Sequence, residues 1–208
     1  MHARPVVALI ALCLGGCSVY RDATSTSTKP PASADWRRVA TKEDRDRLRN
    51  WHQSWDDALA KAKAADAQAI ATNAVLFDPD RTLANAAPPA GDYRCRTFKL
   101  GAAGTAMRDF TAYPWVECHV SDEGEVRGLY KQGGSQRPTG LLFRNTDTRL
   151  IFLGTLVLGD ETSPLRYGTD ASRDMVGYVE RIGPKHWRWV FPAPRFESQL
   201  DVIEMVPA

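Results

Sequence analysis

From residue 91 onward the chain alternates apolar and polar residues in short runs divided by turn-forming residues, and this rhythm constrains the fold more than any motif. Eight runs follow one another: 93–100, 115–121, 126–132, 139–144, 149–158, 175–182, 186–191 and 199–206. Asp122-Glu123-Gly124, Asn145-Thr146-Asp147-Thr148 and Gly183-Pro184-Lys185 are turn sequences between them, and such short links make neighbouring strands antiparallel. Trp187, Trp189 and Phe191 alternate with His186, Arg188 and Val190, the clearest two-faced strand in the chain. Run 150–158 is apolar on both faces apart from Gly154 and Thr155, so one face must be covered by another element. Eight antiparallel strands in sequence order predict an up-and-down barrel-like sheet, closed or flattened into two layers, because closure removes exposed strand edges.

The cover comes from the preceding segment, which has a helical period. Thr41 with Asp44 three residues on has the form of a capping box, and Leu48, Trp51, Trp55, Leu59 and Ala62 then fall on one face. Arg45, Arg49, Asp56, Lys61 and Lys63 occupy the other. A second helix is expected up to Phe77 after a bend near Asp66, ended by Asp78-Pro79 because a residue before proline leaves the helical region. The fold class is therefore α+β, a helical segment packed on an eight-stranded antiparallel barrel-like sheet.

The first seventeen residues speak of location. A basic start with Arg4 leads into an apolar run, 6–14, that is too short for a bilayer core needing about 20 residues but suits a signal-peptide core of roughly 7 to 15. It ends in Leu14-Gly15-Gly16-Cys17, which resembles the lipobox of a bacterial lipoprotein. The expected organisation is a signal peptide at 1–16, a lipidated N-terminus and flexible tether at 17–40, and one domain at 41–208. Ser18 after the cysteine points to a Gram-negative outer membrane, facing the periplasm, with acylated Cys17 as the contact to the bilayer. Residues 18–35, rich in Ser, Thr, Ala and Pro, read as tether. Without residues 1–16 the 27 Lys+Arg lose Arg4, leaving 26 against 25 Asp+Glu. Such a balance supplies no field for nucleic acid, so the acyl chains must do the anchoring.

Of four cysteines, Cys13 leaves with the signal and Cys17 takes lipid, which leaves Cys95 and Cys118. In an oxidising compartment that pair reads most simply as a disulfide, with a metal site using Cys118 and His119 as the alternative, although His52 and His186 lie far off in sequence.

Three places are candidates for chemistry. The loop 159–174 carries Asp160, Glu161, Arg166, Tyr167, Asp170, Arg173 and Asp174 at an expected barrel mouth, and binding groups favour such loops; the plainer account is a solvated loop whose ion pairs fix its own shape. The hairpin 133–140 lacks the ending of a phosphate loop, yet Arg137 offers a planar fork for an anion. Glu117, His119, Glu180 and Glu204 would support acid–base chemistry if they pointed into the barrel, although alternation equally turns such residues outward. With no nucleophile elbow, His-Glu-x-x-His or triad order, no catalytic residue, cofactor or metal is assigned. The expected function is a non-enzymatic module binding a small apolar ligand or an envelope partner; a protease-inhibitor-like docking module and a hydrolase are the alternatives.

The strand region carries a resemblance. Gly91-Asp92-Tyr93-Arg94-Cys95-Arg96, Tyr113-Pro114-Trp115 with Cys118, Gly134-Ser135-Gln136-Arg137, Phe152-Leu153-Gly154-Thr155, Tyr167-Gly168 with Arg173-Asp174, and Val179-Glu180-Arg181-Ile182-Gly183 resemble domain of unknown function 4893. The resemblance covers about 40–208. It implies exported or lipoprotein-like relatives, pairing of Cys95 with Cys118 and a single domain, and it carries no established activity to transfer.

Overall fold

The computed structural model describes residues 34–104 and 106–208. Cys17, the signal segment and the tether up to residue 33 lie outside the described residues. Among the described residues five helices, α1 Trp36–Val39, α2 Lys42–Arg49, α3 Trp51–Ala65, α4 Ala67–Thr72 and α5 Ala74–Phe77, precede nine strands: β1 Gly91–Ala102, β2 Phe110–Ala112, β3 Val116–Asp122, β4 Arg127–Lys131, β5 Gln136–Arg144, β6 Leu150–Leu158, β7 Asp174–Gly183, β8 His186–Pro192 and β9 Ser198–Pro207.

Each strand from β3 to β9 pairs antiparallel with the next, and β9 pairs back onto β1 from Tyr93↔Pro207 to Ala102↔Ser198. The eight expected strands thus close into a barrel. The ninth, β2, escapes any periodicity test at three residues; it extends the sheet from β1 at Phe98↔Ala112 to Leu100↔Phe110, beyond where β3 pairs.

Closure creates two apolar compartments. Inside the barrel, Phe152 packs on Trp189 with centroids 4.6 Å apart, Phe191 meets both, and Tyr93 meets Trp187. Gly140 and Gly154 stand opposite each other here, and a Cβ on Gly154 would lie 2.5 Å from the Phe152 ring and 2.3 Å from the Thr139 carbonyl, so the wall admits only glycine beside that ring. On the outer wall, Phe98, Ile151, Leu153, Tyr178, Val190 and Val202 pack with Leu48, Trp55, Ala58, Ala62, Leu76 and Phe77 of the helices. β6 is buried along nearly its whole length because both compartments use it, as its two apolar faces require. α3 approaches β1 so closely that a Cβ on Gly101, already at φ +66°, would meet Ala58 Cα at 3.0 Å.

The helical segment starts earlier and is more broken than its stripe suggests. Trp36 of α1 belongs to the outer core, so packing begins within the stretch read as tether. The Thr41 hydroxyl accepts from Asp44 N as a cap should, but Asn50, at φ −93° and ψ 15°, separates α2 from α3. Asp66 caps α4 at the expected bend.

Cys95 and Cys118 form a disulfide from β1 to β3, their Cα atoms 5.9 Å apart in the interior core. The pairing register is Tyr93↔Cys118 and Cys95↔Val116, so the bridge runs diagonally. The Cys118–His119 metal alternative fails because Cys118 is in the bridge while His119, its strand neighbour, turns to the other face and lies 2.6 Å from Asp92.

Candidate functional site

One end of the barrel is closed and the other is open. At the closed end Ala86 enters the interior core, Tyr93 Oη donates to the Pro89 carbonyl at 2.7 Å, and Arg127 donates to the Pro88 carbonyl, so the segment after α5 plugs the opening. At the open end a cavity of about 190 Å3 takes a residue from every barrel strand: Lys99, Val116, Lys131, Pro138, Leu156, Met175, Phe191 and Ile203. Pro138 helps to open it. The β4–β5 ladder stops at Tyr130↔Thr139, and the next residue of β5 has no N–H to extend it.

The floor of this mouth carries buried charge. Lys99 Nζ donates to Asp201 Oδ2 at 3.0 Å and lies 3.2 Å from Glu197 Oε2, while the Ser198 hydroxyl donates to the other Asp201 oxygen. Burial opposes the charge on Lys99, but the combined pull of Asp201 and Glu197 carries its pKa above the usual lysine value. Burial pushes the Asp201 carboxyl up against the pull of Lys99.

Lys131 differs. Its Nζ donates to the carbonyls of Gly133 at 2.8 Å and Gln136 at 2.9 Å, and no carboxylate among the described residues lies within ion-pair distance. Burial, then the charges of Arg137 and Lys99, lower its pKa to about 8. Thr97 Oγ1, Arg47 Nε and Arg195 Nε, all from residues lining the cavity, are buried without a partner among the described residues. Half-exposed Tyr113 and Phe196 form an apolar rim with Pro114 and Pro194.

Of the five residues expected in a binding loop, Arg173 and Asp174 reach this cavity while Arg137, Tyr167 and Asp170 do not. Arg137 ties two loops together, donating to the carbonyls of Gly134, Gly159 and Glu161. The Tyr167 hydroxyl donates to Asp44 and accepts from Thr41 N at 3.1 Å; burial, then Asp44, push its pKa up to about 12. Asp170 accepts from the Ser172 amide and hydroxyl. Arg173 pairs with Glu161 at 2.7 Å, and that bond, with the Leu158 amide, holds the Glu161 carboxyl near 2. Asp174 Oδ1 accepts from Gly168 N. The loop's charges largely fix its own shape.

The four acid–base candidates do not meet. Glu180 and Glu204 face outward, in register with Arg188, because the alternate positions Val179, Trp189 and Ile203 fill the interior. Glu180 is clamped by Arg188 and Arg149, and Glu204 lies against Arg96 at 2.7 Å and His186 at 2.9 Å. His119 pairs with Asp92, and Glu117 is exposed on the outer wall. A hydrolase built on these residues has no shared cleft.

The site residues that were missed were readable in one respect. Thr97 and Lys99 continue the phase of Tyr93 and Cys95, Lys131 that of Leu129, and Asp201 that of Ile203 and Met205. A charge in phase with a buried stripe is the signal.

Residues 36–205 match the family described as a domain of unknown function (DUF4893). The chain belongs to that family. The match spans every helix and the whole barrel down to Met205 of β9, so disulfide, mouth and helical cover all fall within the family's domain. No curated protein and no solved structure matches this chain.

Proposed function

We propose that this protein is an envelope lipoprotein, held by acylated Cys17 at the outer membrane facing the periplasm, whose barrel mouth binds a small organic anion without catalysing its conversion. The observation that carries the reading is Lys131, an ammonium group at the mouth cavity answered, among the described residues, only by backbone carbonyls. A bound carboxylate would complete its coordination and accept from Thr97, Arg47 or Arg195, while the Tyr113 and Phe196 rim suits an apolar body. Size narrows the expected apolar ligand. Sites for drug-sized molecules run from about 300 Å3, and a cavity of roughly 150 Å3 holds benzene, so 190 Å3 suits a short or single-ring acid and not a lipid.

Titration calorimetry with short-chain and aromatic carboxylates tests the binding. One site per chain is expected, with binding lost in Lys131→Met; no binding by any of these acids, or unchanged binding in that variant, would refute it. Palmitate labelling tests the anchor. Incorporation should disappear in Cys17→Ala, and label retained there would remove the lipid from the account.

A further inference from the structure

A second concave site shares no residue with the mouth. It is a groove of about 490 Å3 between the outer wall of the barrel and the first helices, walled by Trp36, Trp51 and Tyr178. Arg37, Arg45, Arg49 and Arg149 also line it, and among the described residues no Asp or Glu does. Three of the four arginines have a carboxylate partner: Arg149 has Glu180, Arg49 has Asp46, and Arg37 reaches Asp35 at 3.8 Å. Arg45 has none. Its Nη1 donates to the carbonyls of Arg37 and Ala40, which leaves Nε and Nη2 with no protein partner among the described residues.

The wall supplies an independent sign of a ligand. Tyr178 is fully buried and its hydroxyl has no hydrogen-bond partner among the described residues. Its ring is covered by the Arg149 guanidinium, 4.0 Å from the centroid, and that guanidinium also lies 4.3 Å from the Trp51 ring. A buried hydroxyl without a partner costs about 1–3 kcal/mol, and an acceptor entering the arginine-lined space that Tyr178 borders would remove that cost.

We propose that this groove binds a phosphate group, with Arg45 and the Tyr178 hydroxyl as donors and the Trp36 and Trp51 rings flanking what the phosphate carries. Phosphate fits better than carboxylate because several oxygens must accept from donors on different walls, and guanidinium forks match that geometry. Two sources share this chemistry, a soluble phosphate ester and a phospholipid headgroup.

The test follows tryptophan fluorescence of the full chain in neutral detergent, since Trp36 and Trp51 line this groove and no tryptophan lines the mouth. The chain is titrated with inorganic phosphate, glycerol 3-phosphate and monomeric dihexanoyl phosphatidylglycerol. Saturable binding of the first two at roughly millimolar levels or tighter assigns a soluble ester; binding of the lipid alone assigns a headgroup; no binding of any of the three overturns the site. Arg45→Gln should weaken binding at least about tenfold and Tyr178→Phe about threefold to tenfold. Lys63→Gln, which removes an exposed cation elsewhere on α3, should change nothing. Tyr178→Phe deletes no existing hydrogen bond, so it remains a fair test if Arg45→Gln disturbs the end of α1. Wild-type affinity in Tyr178→Phe, or equal weakening in Lys63→Gln, overturns the proposal.

Discussion

Two sets of buried charges lie on opposite faces of the same barrel wall, and they are finished differently. Outside, beneath the helices, Arg188 is fully buried, donating from Nε to Glu180 Oε2 at 2.8 Å and from its two Nη atoms to the carbonyls of Leu76, Asp78 and Pro79. Arg149 takes the other Glu180 oxygen at 2.7 Å, and the Arg188 guanidinium lies 4.8 Å from the Trp55 ring. Three carbonyls and the Arg149 guanidinium thus close around one ion pair. Inside, at the mouth, Lys131 has two carbonyls and, among the described residues, no carboxylate, and three other donors of the cavity-lining residues have no partner there either. A completed set bolts the helices to the barrel; an incomplete one beside a cavity is a place for a ligand.

Breaking the completed set should give the largest effect. Arg188→Met leaves Glu180 with Arg149 as its one cationic partner among the described residues and frees three carbonyls, so a loss of about 3–5 kcal/mol in urea unfolding is expected, the same size as Trp189→Ala in the interior. Adding Glu180→Met should restore much of it, because a buried pair replaced whole is far less costly than one broken. A loss under about 1 kcal/mol for Arg188→Met would show that the bolt contributes nothing.

The disulfide comes next. It braces the interior side between β1 and β3, and replacing Cys95 and Cys118 with alanine should cost about 3 kcal/mol, from the entropy of the 23-residue separation it closes. Two reactive thiols in denatured, unreduced protein would contradict the bridge itself.

The incomplete set should respond in the opposite sense. Lys131→Met gives up two hydrogen bonds but removes a buried charge, so stability should change by less than about 1 kcal/mol or rise, even as anion binding disappears. A loss comparable to that of Arg188→Met would erase the distinction between the two sets.

The last test is a pH dependence. The folded Lys131 pKa, about 8, lies below the usual 10.5, so the unfolded chain keeps that proton longer. Between about pH 8 and 10.5 wild type should therefore gain stability relative to Lys131→Met, and below about 8 that gain should be absent. Anion affinity should fall over the same rise, as the ammonium loses its proton. A difference independent of pH would mean that Lys131 titrates as an exposed lysine.

Much of this molecule was legible in its sequence for a geometric reason. Alternation along 93–100 or 186–191 assigns residues to faces without knowledge of neighbours, and turns too short for crossovers leave antiparallel neighbours as the topology. β6 announced its helical cover through apolar residues on both faces. Other features left no local trace. β2 is three residues long, and Asn50 interrupts a stripe that would suit one continuous helix. Glu180 and Glu204 could face either way on sequence alone, because alternation gives two faces without naming the interior one.

By itself the sequence determined the order of elements, the antiparallel barrel, the helical cover and the two cysteines left to pair, since each follows from periodicity, turn length or counting. Only the tertiary structure decided which face of each strand became the inside. That choice placed Lys99, Lys131 and Asp201 at an open mouth and Arg188 with Glu180 under the helices. It depended on how the barrel closed at β1 and β9, a contact between residues about 100 positions apart such as Lys99 and Asp201. No short stretch of chain encodes that closure, because which charges end up buried is settled by packing across the barrel and not along any strand.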